Sequence, residues 1–499
     1  MDRDYLKVYF RRIKLAEMKR KTAFWRMTAC TLLVLTAWKG AEAQNLQPLE
    51  PSGTSGWKGF LGTPSVENAP CISLEQQQEV SLENQRNAQR AHAEHPELPQ
   101  VDRGGNHPLF IWPTQARAGF DDYGYSAVRF GVDHDPLPNN HVLDYDCGTR
   151  TYDWASGNHA GTDVVYWPYG WKQMDEENME IIAAADGVII NKRDGYFDRM
   201  CSNTGSPDWN GIVLEHSDGS ESWYWHMKSG TVTAKGIGET VVAGEFLGNA
   251  GSSGSSSYPH LHFQVMDANN NVVDPYAGPC NSMNGTESWW AVQPAYSIPQ
   301  VNHISTHYST LDNYNCPTPE ITYEQTGFNV GDSIIFKIYY RDLDSASVHT
   351  MRNISPDGLF EEWSWTSPWP YYATAYTQWV NVVNSTWPTG NWQFQVDYAG
   401  TTYSTDFQIG EFNAITENEE GRFRVWPDPA NDFLNISLDG VQPGSTLRLY
   451  SVQGALVKTV LPMAAVHRMD LNAVADGMYL LELEQNGSRQ LQRVVVARQ

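Results

Sequence analysis

Between residues 108 and 292, short apolar runs alternate with Gly, Asp and Asn turns, a pattern typical of β-strands. The pattern returns from about 318 to 410. There, residues 332–340 form a nearly continuous β-branched and aromatic run, and residues 392–398 alternate polar and apolar positions. A last block, residues 421–499, again predicts short strands. We therefore expect a mainly β fold: an antiparallel β-sheet domain followed by two β-sandwich domains of immunoglobulin-like type.

Polar segments separate these blocks. Residues 44–105 are rich in Gln, Asn, Glu and Pro, and within them residues 72–94 have a helix-forming composition with a thin apolar stripe. We interpret 44–105 as a linker or propeptide, and the acidic residues 411–420 as a second linker. The predicted domains are then 106–295, 318–410 and 421–499.

The N-terminus has the layout of an export signal. A basic region, residues 1–26, precedes an apolar run at 29–37 and the sequence Ala-Glu-Ala at 41–43. A membrane anchor is the alternative, but the apolar run is far shorter than the roughly 20 residues that span a bilayer. We expect residues 1–43 to be a signal peptide and the mature chain to have no transmembrane segment.

Composition narrows the possible classes of function. The chain has 499 residues, a net charge of -24 and 12% aromatic residues. The length and aromatic content indicate several folded domains, and the acidity argues against nucleic-acid binding. Five of the six cysteines follow the predicted signal, and they contain no C-x-x-C pair. A thiolate zinc site is therefore not expected, at least one thiol is free or pairs elsewhere, and the spacing leaves the pairing open.

Histidines and one aspartate form a candidate metal site. His159 and Asp163 are four residues apart in a stretch with strand character, so both can point to one face. His260 and His262 alternate with apolar residues on another predicted strand, and His226 follows an aromatic one. Two imidazoles and a carboxylate suit zinc and leave a fourth position for water. Such a site activates water for hydrolysis, and further histidines can move protons or stabilise an oxyanion.

The order of these motifs resembles the lysostaphin-like (LytM-type) zinc metalloendopeptidases, which hydrolyse peptidoglycan peptides. The family's H-x-G-x-D, A-x-G-x-V/I, Y-x-H, Gly/Ser-rich turn and H-L-H-F motifs are matched at 159–163, 185–189, 224–226, 248–254 and 260–263. The resemblance implies one zinc ion per chain, held by His159, Asp163 and His262. It also implies a catalytic pair, His260 as general base and His226 as stabiliser of the tetrahedral intermediate, although the two roles could be reversed.

Other residues are expected to have structural roles. Met227 and Gln264 stand where the family usually has Leu and often has Glu, and neither is an expected ligand. We expect His216 to be a hydrogen-bonded turn residue and His134 to lie in a solvated loop. The tryptophans between 363 and 392 could form a sugar-stacking platform, but we favour the core and rim of a sandwich.

The last block resembles the C-terminal sorting domain of type IX secretion. The resemblance rests on residues 426–432, 447–450, 477–480 and 493–496, with Trp426 and Asp428 in place of the usual Tyr and Asn. It implies that the type IX secretion machinery carries the chain across the outer membrane, removes this domain and leaves the product secreted or at the cell surface. An ordinary β-sandwich spacer is the alternative.

Together these features predict a secreted zinc metalloendopeptidase that hydrolyses peptide bonds in peptidoglycan cross-bridges or Gly-rich proteins. The alternative is a non-catalytic cell-wall-binding protein or adhesin on the same fold. Such modules typically lose metal ligands, whereas all five expected site residues are present. The sequence leaves open which bond is cut, whether residues 44–105 are inhibitory, the role of the middle sandwich and the oligomeric state.

Overall fold

The computed structural model divides into two compact units, Met1–Gly410 and Glu411–Gln499. It describes residues 47–49, 58–62, 72–137, 141–154, 157–202, 206, 208–284, 286–310, 316–345, 347–368, 371–410, 423–426, 430–438, 445–451, 455–461, 466–485 and 488–498. The predicted signal peptide and the acidic linker at 411–420 lie outside these residues. Among the residues described, no helix combines the length and apolar character needed to cross a membrane.

The first unit opens with two short strands, a long helix and the strands of the first β domain. Their bounds are β1 (Gln47–Leu49), β2 (Lys58–Gly62), α1 (Leu74–Glu94), β3 (Thr114–Ala116), β4 (Ser126–Phe130), β5 (Asp153–Trp154), β6 (Gly157–Asn158), β7 (Gly161–Tyr166), α2 (Gly170–Asp175), β8 (Met179–Ile182), β9 (Gly187–Arg193), β10 (Gly211–Glu215), β11 (Glu221–Trp225), β12 (Thr240–Val241), β13 (Phe246–Asn249), β14 (His260–Met266) and β15 (Val272–Val273). Helix α1 lies in the segment predicted to be a linker or propeptide, and the Ser73 side chain caps it by accepting from the backbone N–H of Gln76.

The first β domain is built on an eight-stranded sheet in the order β12–β9–β10–β11–β14–β7–β4, with β15 paired to β14. Every pairing in it is antiparallel, as the sequence predicted. Alternation in β14 directs Leu261, Phe263 and Val265 into the main hydrophobic core. That core also takes in residues of the three-stranded sheet β13–β8–β3, such as Ile181 and Leu247. The polar residues of β14 therefore lie on the opposite face.

A β-sandwich completes the first unit. Its strands are β16 (Gln300–His307), β17 (Gly327–Phe328), β18 (Ser333–Asp344), β19 (Val348–Ser355), β20 (Gly358–Thr366), β21 (Tyr371–Val382), β22 (Gly390–Tyr398) and β23 (Thr401–Ile409). They form two five-stranded sheets, β1–β2–β21–β18–β16 and β17–β23–β22–β19–β20, that enclose one core. Strand β16 precedes the predicted start at 318, and β2 adds the N-terminal segment to the edge of the sandwich.

The sandwich tryptophans belong to its interior. Trp363, Trp365, Trp379, Trp387 and Trp392 are all at most 5% exposed and share the sandwich core. Because their rings are covered, they cannot offer a stacking surface to a sugar, and the preference for a core role is confirmed.

Buried polar contacts fix the sandwich to the first β domain. The Arg150 guanidinium pairs with the Asp342 carboxylate at 2.8 Å, and the Trp167 indole N–H donates to the Tyr340 carbonyl at 2.9 Å. Of the two disulfides, Cys147–Cys280 lies within the first β domain, and Cys201–Cys316 joins that domain to the segment that follows β16. They settle the pairing that the spacing left open for these four cysteines.

The second unit is a smaller β-sandwich, again as predicted. Its strands are β24 (Phe423–Trp426), β25 (Phe433–Leu438), β26 (Thr446–Ser451), β27 (Leu456–Val460), β28 (Val466–Asp470), β29 (Gly477–Gln485) and β30 (Ser488–Val496). Sheets β24–β25–β28 and β27–β26–β29–β30 share one core, to which Leu434, Leu447, Leu481 and Val494 contribute.

Candidate metal centre

Two neighbouring strands bring the candidate metal ligands together. In the antiparallel pair β14–β7, His262 lies directly opposite Asp163, so their side chains share a face. His159 follows β6 and closes the group from the other side of Asp163. Asp163 Oδ1 is 2.9 Å from His262 Nδ1 and 3.2 Å from His159 Nε2, and the two imidazole nitrogens are 3.3 Å apart. One ligand atom from each residue thus lies within 4.8 Å of the others.

Hydrogen bonds on the far side of each ring leave one nitrogen of each histidine directed at the group. His159 Nδ1 donates to the Gly131 carbonyl at 2.7 Å, which leaves Nε2 as the inner atom. His262 Nε2 lies 3.2 Å from the Gln264 amide oxygen, to which it can donate, leaving Nδ1 as the inner atom. Such outer contacts fix the orientation of metal-binding imidazoles.

The group is deeply buried, and the histidines stabilise the Asp163 carboxylate. His159, Asp163 and His262 are 1%, 4% and 1% exposed. Burial alone would raise the pKa of Asp163. Electrostatic interaction with the His159 and His260 rings and hydrogen bonds with His159 and His262 outweigh burial and hold that pKa well below its usual value. The aspartate is therefore an anion, as a metal ligand must be.

His226 and His260 lie next to these three residues. His226 follows β11 with a left-handed backbone (φ 65°), and its ring centroid is 4.5 Å from that of His260. His226 Nδ1 donates to the Ser253 carbonyl at 2.6 Å, and His260 Nδ1 donates to the Tyr258 carbonyl at 2.7 Å.

Both rings of this pair favour the neutral form. Burial lowers the pKa of His260, and burial together with the neighbouring histidines lowers that of His226 further. With Nδ1 used as a donor, a neutral ring carries its lone pair on Nε2. His226 Nε2 is buried and has no hydrogen-bond partner within the described part of the chain. It is a polar atom available to a ligand or a reacting group.

The donor set fits zinc. Two imidazole nitrogens and one carboxylate oxygen converge at one buried point, and three protein ligands of this kind are the set found in catalytic rather than structural zinc sites. All five residues expected from the sequence meet here, although their individual roles stay predictions. Sequence reasoning treated Gln264 only as a departure from the family, yet strand alternation already placed it on the face of His262.

Of the two expectations for histidines outside the site, the structure confirms one and contradicts the other. His216 is hydrogen-bonded as expected, through Nδ1 to the Asp186 carbonyl and through Nε2 to the Ser222 hydroxyl. The expectation of a solvated loop for His134 is wrong. Its ring is buried and lies 2.9 Å from the Asp274 carboxylate, because the loop passes beneath the residues that follow β15. Its charged partner lies 140 residues away in the chain, so local sequence carried no signal of burial.

Helix α1 lies on the face that carries the metal centre. In the β11–β14 pair, Trp225 lies opposite His262, and Trp223 lies opposite Gln264. Both tryptophans share a hydrophobic cluster with Val80 of α1. The helix therefore packs on the same face, next to the tryptophans that lie opposite His262 and Gln264.

Buried polar contacts hold the helix there. The Asn84 amide donates to the Glu221 carboxylate at 2.8 Å and accepts from the Asn191 amide at 2.9 Å. All three residues are at most 7% exposed.

The sandwich also packs on this face. Val165, which lies opposite His260, shares a buried cluster with Tyr258 of the first β domain and with Tyr339 and Tyr376 of the sandwich. α1 and the sandwich therefore both pack on the sheet face that carries the candidate metal centre.

Comparison with known families identifies two parts of the chain. Residues 168–275 match the model of Peptidase family M23, and residues 424–497 match the model of the secretion system C-terminal sorting domain. The first match contains His226, His260 and His262, while His159 and Asp163 lie before its start. The fold is what joins those two residues to the matched segment.

Curated relatives support the same region. The chain is 31% identical to the glycyl-glycine endopeptidase ALE-1 of Staphylococcus capitis over 140 residues, which is 28% of this chain and 33% of that protein. It is 40% identical to lysostaphin of Staphylococcus simulans over 70 residues, 13% of this chain and 14% of that protein. The chain thus spans a third or less of the length of these relatives.

Solved structures similar to this chain include the catalytic domain of lysostaphin from Staphylococcus simulans. That match has 26% identity and a TM-score of 0.19, and covers 30% of this chain and 89% of the other. The I67–I69 fragment of the titin I-band matches with 12% identity and a TM-score of 0.13, covering 34% of this chain and 61% of that one.

Proposed function

We propose that this chain, which carries an M23 peptidase domain and a C-terminal sorting domain, is a secreted zinc metalloendopeptidase. It hydrolyses peptide bonds in peptidoglycan cross-bridges or in Gly-rich proteins. The observation that carries the proposal is the convergence of His159, Asp163 and His262, whose ligand atoms meet on one buried sheet face. The alternative of a non-catalytic wall-binding module is less well supported, because such a module has no need for five buried polar residues around one point.

The three ligands would hold one zinc ion per chain. Zinc, when bound, supplies a water of lowered pKa and polarises the scissile carbonyl. The protein contributes rigidity: Gly131 and Gln264 hold the two imidazoles in the orientation that turns one nitrogen of each inward. Burial of the carboxylate and both rings keeps competing water out.

The catalytic pair would handle protons and the developing charge. His260 and His226 both donate Nδ1–H to backbone carbonyls, so each can accept a proton at Nε2. His260 is placed as the base because its Nε2 is 3.7 Å from Asp163 Oδ1, close to the ligand atoms. Once protonated, an imidazole becomes a donor at Nε2, able to stabilise an oxyanion or protonate the leaving amine.

The substrate class is inferred from the relatives. They are named glycyl-glycine endopeptidase and lysostaphin, which favours a Gly-rich peptide as the substrate of this chain. The sorting domain implies the type IX secretion machinery as a partner and a final location outside the cell or at its surface. Action there would be on the walls of other cells or on secreted proteins.

The test is metal content and hydrolysis measured on the purified full chain and its His262→Ala variant. We expect about one zinc per chain in the parent, release of new amino groups from purified peptidoglycan, and loss of both in the variant. His95→Ala is the matched control, because His95 is a surface histidine whose side chain is 46% exposed. It should leave metal content and hydrolysis unchanged.

Two outcomes would contradict the proposal. A parent chain that binds no zinc after dialysis against the metal would remove the mechanism. Hydrolysis that survives His262→Ala at the parent rate would separate the activity from this centre. In either case a binding module becomes the better account.

A further inference from the structure

A cavity of about 270 Å³ lies between the first β domain and the sandwich. Thr162 and Val164 of β7 line it, and alternation along that strand directs both away from the face of Asp163. Arg341 and Asp342 of β18 line it from the sandwich side. The sheet therefore lies between the cavity and the Asp163 side chain, and Gly131, whose carbonyl accepts from His159 Nδ1, also lines the cavity. The proposed hydrolysis gives the cavity no role.

Aromatic rings supply much of the wall. Trp112, Tyr125, Tyr145, Tyr276 and Tyr296 all line the cavity. Their faces favour a ligand with a flat or apolar body. A cavity of about 150 Å³ is known to accept benzene, so this one has room for a ring with a short polar extension.

Most charged groups of the wall are already paired. The Arg150 guanidinium donates to the Asp342 carboxylate at 2.8 Å and to the Val128 and Tyr296 carbonyls. The other Asp342 oxygen accepts from the Ile298 backbone N–H at 2.8 Å. These groups stabilise the wall and have little capacity left for a ligand.

The Asp144 carboxylate is also satisfied. It accepts from the Tyr296 hydroxyl at 2.6 Å and from the backbone N–H groups of Gly148 and Arg150. No acidic group of the wall is therefore left to attract a cation.

Two polar groups remain without full partners. Thr162 is 1% exposed, and its hydroxyl has no hydrogen-bond partner in the part of the chain that the structure describes. Arg341 donates Nε–H to the Ile298 carbonyl at 3.3 Å, and no described carboxylate forms an ion pair with its guanidinium. Burial lowers the pKa of Arg341, which an anion placed beside it would reverse.

We propose that this cavity is a second binding site, for a small carboxylate with a ring or apolar body, of the size of one N-acylated amino acid. The Arg341 guanidinium binds the carboxylate, the Thr162 hydroxyl donates to or accepts from a polar atom of the ligand, and the aromatic wall holds the body.

The test uses the purified full chain with two probes that differ only in charge, N-acetyl-phenylalanine and its amide. Calorimetry or ligand-observed NMR should show saturable binding of the acid at least about tenfold tighter than that of the amide, since a charge-assisted hydrogen bond is lost in the amide. Arg341→Met should abolish the preference. Arg352→Met is the matched control, because Arg352 pairs with Glu362 and Asp397 elsewhere on the sandwich.

Further variants separate this site from the metal centre. His262→Ala should keep the preference for the acid, so a failure of the proposed hydrolysis would not affect this result. Thr162→Val keeps the shape of the side chain and removes the hydroxyl, so it should weaken binding of both probes. It tests the site independently if Arg341→Met fails to fold. Equal binding of acid and amide, absence of saturation, a preference unaffected by Arg341→Met, or a preference lost in His262→Ala would overturn the proposal.

Discussion

Trp225 lies directly opposite His262 in the antiparallel pair of β11 and β14, so the indole and the candidate metal ligand share one face of the sheet. Trp225 also stacks on Trp209, with ring centroids 4.1 Å apart. Helix α1 packs on the same aromatic cluster through Val80 and Ala88. A segment that its composition marked as a linker or propeptide thus packs on the sheet face that carries the candidate site.

Glu221 accepts a hydrogen bond from Asn84 of α1, and its titration makes the packing of α1 sensitive to pH. Burial raises the pKa of Glu221 to about 7, although hydrogen bonds from Trp223 and Asn84 oppose the rise. The folded state therefore binds a proton more tightly than the unfolded state. Protonated Glu221 contributes fully to the free energy of unfolding below about pH 4.5. This contribution is lost as the pH rises through 7, by up to roughly 3 kcal/mol.

Glu221→Gln should remove this pH dependence, because the amide keeps an acceptor oxygen and cannot ionise. We expect the variant to melt at a higher temperature than the parent at pH 8 and at about the same temperature at pH 5. Thermal unfolding followed by circular dichroism measures both. Glu97→Gln, which changes an exposed acid, is the control. A variant that is destabilised equally at both pH values would show that Glu221 is held as an anion.

The sequence indicated which residues meet at the candidate metal centre better than it indicated their surroundings. His260 and His262 lie on a strand whose alternation is visible in the sequence, and His159 and Asp163 lie at its neighbour. Local patterns placed the members of each pair on one face, and the order of the motifs, through the resemblance, joined the two pairs, whose contact spans 99 residues of sequence. The docking of α1 depends on Asn84 meeting Glu221, 137 residues away, and no local pattern encodes that contact.

Long-range contacts also explain why His134 was wrongly expected in a solvated loop and why the sandwich was predicted to begin at 318, after β16. The partner that buries His134 is Asp274, which is distant in sequence. Strand β16 contains His303, Ser305 and His307, and these polar residues hide its strand character. Ser305 and His307 are buried and His303 is partly exposed, and hydrogen bonds satisfy all three, so polarity here marks an interface and not a loop.

His303 forms a charged link between the two β domains. Its Nδ1 lies 2.5 Å from the Asp122 carboxylate of the first domain, and its Nε2 lies 2.9 Å from the Glu324 carboxylate. Burial opposes protonation, but these two partners outweigh it and raise the pKa of His303 to about 9. The stability gained is fully present below about pH 6.5 and is lost as the pH rises through 9.

We therefore expect His303→Gln to lower the melting temperature markedly at pH 6 and only slightly at pH 10. Scanning calorimetry of parent and variant at the two pH values measures the difference. His95→Gln, at an exposed histidine with one carboxylate neighbour, should have little effect at either pH. An equal loss at pH 6 and pH 10 would mean that shape, and not charge, accounts for the role of His303.

The core of the sandwich contains a histidine whose pKa is shifted in the opposite direction from that of His303. His349 is 0% exposed, and neither ring nitrogen has a hydrogen-bond partner among the residues described. Its ring is stacked on Tyr398 and surrounded by Tyr340 and Trp365. Burial lowers its pKa to about 3. Stability is therefore full above about pH 6.5 and falls by up to roughly 1.4 kcal/mol for each pH unit below it.

His349→Phe should make the sandwich more resistant to acid, since phenylalanine fills the aromatic site without an ionisable group. Denaturant unfolding at pH 7 and pH 4.5 should give a smaller difference for the variant than for the parent. His467→Phe, in the second unit, is the control and should leave that difference unchanged. An unaltered pH dependence in His349→Phe would assign the acid sensitivity to other groups.

Asp163 gives the sharpest test of the metal centre that does not depend on activity. Its carboxylate is buried between two imidazoles, so Asp163→Asn keeps the shape and removes the charge that a divalent cation needs. Added zinc should raise the melting temperature of the parent, because a ligand that binds only the folded state stabilises it, and a chelator should reverse the shift. In Asp163→Asn the shift should shrink severalfold or vanish, whereas Asp186→Asn, an aspartate outside the group that accepts from the Ala243 backbone N–H, should keep it. A zinc shift of equal size in parent and Asp163→Asn would place the metal elsewhere and remove the basis of the proposed hydrolysis.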